Sequence, residues 1–584
     1  MRNVLLTCSV LCGALYGKED VTYYVPKTQH KELFAKASPP SKYTETLREK
    51  RVLLPELKGI VISGDAGVPP PYVLQSVKGV DFYRMKISVG GRDRLKRELN
   101  AFAVGKPLTE QGLKQIKCRV AEYYRKRGES LVHVYIPEQE IKDGVIVVNV
   151  IEACLGKVNI TGNCWFSEDL YMNAINLRAD QAISAKQIEE DVSWLNRSPW
   201  RKVCVVYKPG EKFGSTDVEI VVRDERPFRV YVGADNTGFK LTDYARLFVG
   251  FNWGNFLGLD QVIGYQYTAS PDFEKFQGHM IHYTVPFTWR HLFLAYGGVS
   301  YIKGIHDNLP ANVQHGVSWQ FSSRYVIPLP EANYWKQDTR FGFDWKRTNN
   351  DFIVGEDTAS TSMATVFQGV LSYEGSSNSS EHNFAAKVDF YFQPWHVGDG
   401  MSQTSYDSLR PGAQNMYCYL RATGDYTWTY PYSRWGTMFS TIVTAQVASG
   451  ALIPLEQLGL GGFNSVRGYV DRAVNVDDGI LINLELRSPK WSVFNTQKNT
   501  KLCGLGCDAF SALVFLDAAY GALVKTSPGQ PSNYFLAGVG PGLRYDFGTW
   551  MRTRFDMAFP LIDAPWGSPH TGFVQFYFSV ILSY

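Results

Sequence analysis

From residue 228 onward the chain alternates. Apolar or aromatic residues trade places with polar ones over segments of about ten residues, and helical periodicity disappears. In the last segment Val574, Phe576, Phe578, Val580, Leu582 and Tyr584 share one face, and Gln575, Ser579 and Ser583 lie on the other. Ile480, Ile482, Leu484 and Leu486 oppose Asn483, Glu485 and Arg487. Phe384, Ala386, Val388, Phe390 and Phe392 oppose Lys387 and Asp389. A strand sends successive side chains to opposite sides of its sheet, so alternation at this length makes one dry face and one wet face. Sixteen such segments start near Arg229, Tyr244, Leu259, Lys275, His291, Gly316, Asp338, Met363, Asn383, Met416, Thr437, Gly479, Phe510, Tyr534, Trp550 and Phe573.

A soluble β-sandwich also alternates. Three features favour a membrane barrel. The dry faces have the length of a tilted membrane strand, about 9–11 residues. The wet faces carry charges in mid-strand, as a hydrated lumen allows. The last segment runs to an aromatic residue at Tyr584. The even strand count is that of bacterial single-chain barrels. Closure is required because an unpaired strand edge has no partner in hydrocarbon. The composition agrees, with 14% aromatic residues and 52 glycines at a mean hydropathy of −0.19. Lys and Arg number 60 against 56 Asp and Glu, a balance that argues against nucleic acid as a partner and leaves the lipid bilayer.

The residues before 228 read differently. Met1-Arg2, the mostly apolar Val4–Tyr16 and then Gly17 form a secretory signal over residues 1–17. Residues 18–55 are a polar tail or linker with a short helix around Thr28–Ala37, a candidate plug. Residues 56–152 form a small α+β unit: a strand at Leu57–Ile62, a helix from Thr109 with Leu113, Ile116, Val120 and Tyr123/Tyr124 on one face, and strands at Leu131–Ile136 and Val145–Val150. Gly128 ends the helix, and the stretch Asp65–Gly90 is less legible. Residues 153–224 repeat the plan, with a strand at Lys157–Ile160, helices at Ser167–Ile175 and from Ser184, and strands at Val203–Tyr207 and Asp217–Val222. Ser184 and Gln187 have the spacing of a capping box. The barrel takes residues 228–584.

No HExxH, GK[ST] phosphate loop or GxSxG occurs, and His and Cys are too scattered for a metal site, so neither enzyme chemistry nor a cofactor is expected. Cys154 and Cys164 bracket a turn. Cys503 and Cys507 flank Gly504-Leu505-Gly506, a spacing that a local disulfide can close; unpaired structural thiols are the other reading.

One constellation stands out. Leu460-Gly461-Gly462-Phe463-Asn464-Ser465-Val466-Arg467-Gly468-Tyr469 lies between the eleventh and twelfth segments. In the segment after those two, Ala512, Val514, Leu516, Ala518 and Tyr520 form the dry face, so Asp517 points into the lumen. An arginine on a loop and an aspartate on the inner wall suit a two-point grip. By spacing alone the plainer reading prevails, with Arg467 a surface-loop cation and Asp517 one lumen acid among many.

The pairing of GGFNSVRGY with Phe515-Leu516-Asp517-Ala518-Ala519 resembles the loop and wall motifs of the POTRA-barrel superfamily of outer-membrane assembly and secretion proteins. More narrowly it is similar to the two-partner secretion transporters (TpsB, ShlB/FhaC/HecB-type). Tyr123-Tyr124, Arg127-Gly128, Pro137-Glu138-Gln139 and Asp143-Gly144 resemble that family's first POTRA domain. Leu195-Asn196-Arg197, Pro199, Pro209-Gly210 and Asp217 resemble its second, and Asp235-Asn236-Thr237-Gly238 its lead-in to the barrel.

The resemblance implies two periplasmic POTRA domains before a sixteen-stranded antiparallel barrel in the bacterial outer membrane. It implies a loop six folded into the lumen, locked through Val466, Arg467, Gly468 and Tyr469 against Phe515 and Asp517. It implies a large unfolded exoprotein (TpsA-like) as partner, met by Tyr124, Arg127, Gly128, Pro137, Glu138, Gln139, Asn196 and Arg197. It implies passage through the pore without nucleotide. Assembly of other outer-membrane proteins on the same architecture is the alternative. The family's wall motif usually ends in glycine, whereas Ala519 stands here, with a methyl that would crowd the loop. The stretch Asp65–Gly90 is longer than the family's usual.

Overall fold

Each alternating segment becomes one strand of a closed barrel. The structure, a computed structural model, describes residues 52–85, 92–127, 132–141, 143–177, 183–212, 215–238, 242–306, 309–332, 334–354, 357–395, 398–430, 437–494, 508–564 and 570–584. The proposed signal, the candidate plug helix, Gly128, Cys503 and Cys507 lie outside them. The chain divides at Arg226–Pro227 into two compact units.

The first of these units holds two α+β domains. In the earlier one, Val52–Leu54 (β1) pairs with Leu108–Thr109 (β4). Gly59–Ser63 (β2), Gly79–Tyr83 (β3), Val132–Tyr135 (β5) and Val145–Glu152 (β6) form a sheet in the order β3-β2-β6-β5. β2 runs parallel to both β3 and β6, and β5 is antiparallel to β6. The helix Glu110–Arg127 lays Ile116, Val120, Tyr123 and Tyr124 against Ile60, Ile62, Ile146 and Val148. The stretch that resists sequence reading holds a short helix, Pro71–Gln75, and the added edge strand β3. A helix at Arg92–Ala103 was not read either: only Leu95, Leu99 and Ala103 mark its buried stripe among charged neighbours.

The later domain keeps the same core, with Cys154–Thr161 (β7), Arg201–Pro209 (β8) and Ser215–Asp224 (β9) in the order β7-β9-β8, parallel then antiparallel. Its helices are Glu168–Ala174 and Ala185–Leu195. Ser184 Oγ accepts from the Gln187 N–H, but the Gln187 amide turns away to Asp191, so only half of the capping box forms. Cys154 opens β7 and Cys164 follows it, so the two bracket a strand rather than a turn. The five described cysteines are unpaired.

The barrel strands are Phe228–Asp235 (β10), Arg246–Phe256 (β11), Gln261–Ala269 (β12), Phe276–Pro286 (β13), Leu292–His306 (β14), Leu309–Ala332 (β15), Trp335–Val354 (β16) and Asp357–Asn378 (β17). His382–Gln393 (β18), Tyr417–Thr429 (β19) and Met438–Ala448 (β20) follow. Leu458–Leu460 (β21) and Val474–Val476 (β22) then form a hairpin of their own. The wall resumes with Asp478–Arg487 (β23), Asp508–Ala522 (β24), Asn533–Phe547 (β25), Met551–Pro560 (β26) and Gln575–Ser583 (β27).

Neighbours are antiparallel throughout, and β10 closes on β27 from Tyr231↔Ser583 to Asp235↔Ser579. Phe576, Phe578 and Leu582 face outward, while Tyr577 between them is buried. Aromatic residues ring the rim where β10 begins and β27 ends. There Trp289 Nε1 donates to Tyr325 Oη at 2.9 Å and Trp335 Nε1 to Tyr373 Oη at 2.9 Å. Such rings, apolar in body and polar at the tip, suit a membrane interface. β15, β16 and β17 run to 24, 20 and 22 residues. A tilted span consumes about 9–11 of these, so the polar surplus around Asn349-Asn350-Asp351 and Ser360-Thr361-Ser362 extends past the hydrocarbon.

Candidate functional site

Residues 449–477 connect the eleventh and twelfth barrel strands, β20 and β23, and pack their side chains against the inner wall. The loop is a hairpin, β21 against β22, with residues 461–473 at its tip. Its apolar side chains Leu460, Val466, Tyr469 and Val476 are buried with Leu481, Ala519 and Leu536 of the wall. The Ala519 methyl is therefore part of that contact and does not hold the loop away. Gly468 has φ +105, and a Cβ there would stand 2.9 Å from the Pro560 nitrogen. Gly538 on β25 is closer still: its Cβ would lie 1.9 Å from the carbonyl oxygen of Arg467. A bare backbone at both positions lets the loop tip touch the wall.

Arg467 is only 2% exposed. Its Nε and Nη2 donate to the two oxygens of Asp517 at 2.6 and 2.9 Å. Its backbone N–H reaches Asp517 Oδ2 at 3.1 Å. Nη1 donates to Glu485 at 2.8 Å and to Asp556 at 3.4 Å. The guanidinium lies 3.5 Å above the Phe515 ring, a cation–π stack. Asn483 steadies Asp517 at 2.8 Å and the Ser465 carbonyl at 2.7 Å. Arg544 and Arg554 also hold Asp556, at 2.5 and 2.8 Å. Arg487 pairs with Glu485. The near wall is thus a lattice of alternating charges, and a bidentate arginine is the part of it carried by the loop. Taking one member from such a buried pair costs about 3–5 kcal/mol, because its partners stay buried and uncompensated.

The backbone is tied as well. Tyr577 Oη accepts from the Gly468 N–H at 3.0 Å and donates to the Tyr469 carbonyl at 2.6 Å. The Tyr469 hydroxyl is shared between the carbonyls of Ile562 and Ala537, at 2.7 and 3.0 Å. The structure therefore brings Val466, Arg467, Gly468, Tyr469, Phe515 and Asp517 into one place.

Two further attachments of the loop escaped sequence reading. Glu456, 1% exposed, accepts from Lys346 Nζ at 2.9 and 3.3 Å, from Gln368 Nε2 at 3.1 Å and from Tyr419 Oη at 2.6 Å. Asp477, fully buried, accepts from Arg410 at 2.6 and 2.8 Å, from Gln457 at 3.0 Å, and from the N–H groups of Leu452 and Val524 at 2.9 Å. Arg410 follows the helix Gln403–Leu409, and Val524 follows β24, so Asp477 clasps three neighbouring loops. The available signal was the run of charges at inward positions of β15 and β16, but nothing in it names a partner on the loop.

Among the described residues, those singled out in the α+β domains lie on separate elements. Tyr124 is buried in its domain core, edge-on to Tyr123. Arg127 ends its helix, and its side chain is outside the description. Gln139 bonds both backbone groups of Val147, at 2.8 and 3.0 Å, where β5 has stopped short of β6. Asn196 does the same to Val203 on β8, at 2.7 and 2.9 Å. Pro137 precedes this bridge, and Glu138 and Arg197 are exposed.

Residues 214–545 match the family model for haemolysin secretion/activation protein ShlB/FhaC/HecB, and residues 80–153 match the POTRA domain, ShlB-type. The heme/hemopexin transporter protein HuxB of Haemophilus influenzae (strain 86-028NP) is 22% identical over 471 residues, 75% of this chain and 78% of that protein. The outer membrane transporter CdiB of Dickeya dadantii is 22% identical over 474 residues, 78% and 79% of the two chains. Among solved structures, CdiB from Escherichia coli superposes with a TM-score of 0.72 at 19% identity, covering 93% of each chain. CdiB from Acinetobacter baumannii gives 0.62 at 15% identity, covering 94% of this chain and 93% of its own.

Proposed function

The chain belongs to the ShlB/FhaC/HecB family of haemolysin secretion/activation proteins, and from that premise we propose that it is the outer-membrane pore of a two-partner secretion pair. In this reading its α+β domains take an unfolded exoprotein in the periplasm, and the barrel passes it outward without nucleotide. The observation that carries the reading is the loop held in the lumen by Arg467 on Asp517. A fixed wall needs no such insert, whereas a pore that must be closed at rest and open to a chain does. The lumen carries many polar and charged side chains, which offer a passing chain weak, exchangeable contacts. The edge of β8 beyond Val203 is open to strand addition: by the two-residue period, Val205 and Tyr207 present their backbone groups to the same side.

HuxB and CdiB are named as transporters; the cargo here is a large secreted protein. The test compares surface and medium proteins with and without this chain. Loss of one large exoprotein from outside is the expected result. A broad fall in many barrel proteins would replace the reading with outer-membrane protein assembly.

A further inference from the structure

We propose that Glu456 and Lys346 form a second latch on the lumen loop, on a separate stretch of wall from Arg467, and that this latch keeps the loop across the pore. Lys346 lies on β16, the seventh strand of the closed barrel, and Gln368 and Tyr419 on the eighth and tenth. Asp517 lies on the thirteenth strand and Asp556 on the fifteenth. Lys346 and Asp517, on the seventh and thirteenth of sixteen strands, are six strands apart, so the two contacts fall on separate stretches of the wall. Glu456 and Arg467 are separated by eleven positions of one loop, and eleven residues reach at most about 40 Å. The loop is therefore held at two points, at its tip by Arg467 and nearer its start by Glu456, whose carbonyl also accepts from Arg421 and Gln446 at 3.4 and 3.3 Å. Arg467 alone would hold only the tip.

The far wall is built to receive one carboxylate. Beside Lys346 the wall carries Asp344, which Arg324 already holds at 2.7 Å. Lys346 stands 3.7 Å from Asp344 and 2.9 Å from Glu456, so the loop carboxylate is the nearer of the two. Lys346 is 2% exposed, so the pair is buried when the loop is seated. Gln368 and Tyr419 add two neutral donors aimed at the same carboxylate.

The two contacts are unequal. Arg467 meets three carboxylates, an aromatic face and backbone ties. The Glu456 carboxylate meets one ammonium and two neutral donors, and its carbonyl accepts the two longer bonds from Arg421 and Gln446. The Glu456 contact is the one that releases first, freeing the loop from the seventh, eighth and tenth strands while Arg467 keeps its tip seated.

This latch rests on the secretion reading for its purpose, but its test does not use secretion. The full chain is purified and inserted in planar bilayers of phosphatidylcholine, with heat-modifiable mobility confirming a folded barrel. Glu456→Gln and Lys346→Met are each expected to raise the resting conductance at least about tenfold, since each leaves a buried group uncompensated in the closed state. Combining Lys346→Glu with Glu456→Lys is expected to return it toward the native level. A folded Glu456→Gln barrel with native conductance would overturn the latch while leaving the Arg467 contact and the secretion reading in place. Leakage that the charge exchange leaves uncorrected would also overturn it, because the pair would then not be the cause. The proteome comparison decides the secretion reading separately.

Discussion

The barrel holds its lumen loop against two walls made by different rules. The near wall, β23 to β27, meets the loop with a lattice of six charged side chains, a close glycine and a tyrosine wedged into the loop backbone. The far wall, β16 to β19, meets it with one buried ion pair, two neutral donors, an arginine on the Glu456 carbonyl and apolar packing against Leu452, Ile453 and Leu455. The difference concerns reversibility. A contact with backbone ties and a bidentate arginine fails only when many bonds go together. A contact centred on one ammonium can be exchanged for water in one step, at the cost of exposing a charge that a hydrated lumen tolerates.

The contrast can be broken most severely at Gly538. Gly538→Val would put side-chain atoms into the Arg467 carbonyl, so the loop tip cannot seat. The expected outcome is loss of secretion, with the loop newly open to added protease and the barrel still heat-modifiable. Arg467→Ala comes next. It leaves Asp517, Glu485 and Asp556 short of a cation, a cost of about 3–5 kcal/mol to the closed loop. Exoprotein in the medium should fall sharply while insertion of the barrel is unchanged, and a native secretion rate would remove this contact from the mechanism.

The sharper tests are a matched pair of hydroxyl deletions. Tyr577→Phe strands the Gly468 N–H and the Tyr469 carbonyl, both buried, and should weaken closure by about 1–3 kcal/mol. Tyr419→Phe takes one of several donors from Glu456 and should weaken it by about 0.5–1.5 kcal/mol. Resting conductance of the two variants in one lipid gives the order directly. A Tyr419→Phe effect larger than that of Tyr577→Phe would reverse the ranking of the two walls.

The same contrast explains what the sequence could tell. Near-wall residues come in words: GGFNSVRGY and FLDAA each place several partners within a few positions, and alternation alone turns Asp517 inward. The far wall is spread over Lys346, Gln368, Tyr419 and Glu456, each an ordinary lumen or loop residue, and only closure of the barrel brings them together. Strand existence was legible throughout because lipid demands strict alternation. Strand length was not, since β15 to β17 leave the membrane and the apolar signal stops there while pairing continues. In the α+β domains, the helix Arg92–Ala103 was hidden by charged neighbours of its narrow buried stripe, and β3 by its place at a sheet edge.

Gln139 and Asn196 stood out as contacts for a passing chain, yet each spends its amide on its own fold. An extended polypeptide laid along β8 cannot bond at Val203 while Asn196 occupies both of its backbone groups. The edge therefore has a fixed starting stop. On the proposed secretion reading, a guest strand added there would be phased by the protein rather than by its own side chains, so that one edge could hold unrelated sequences in a single frame.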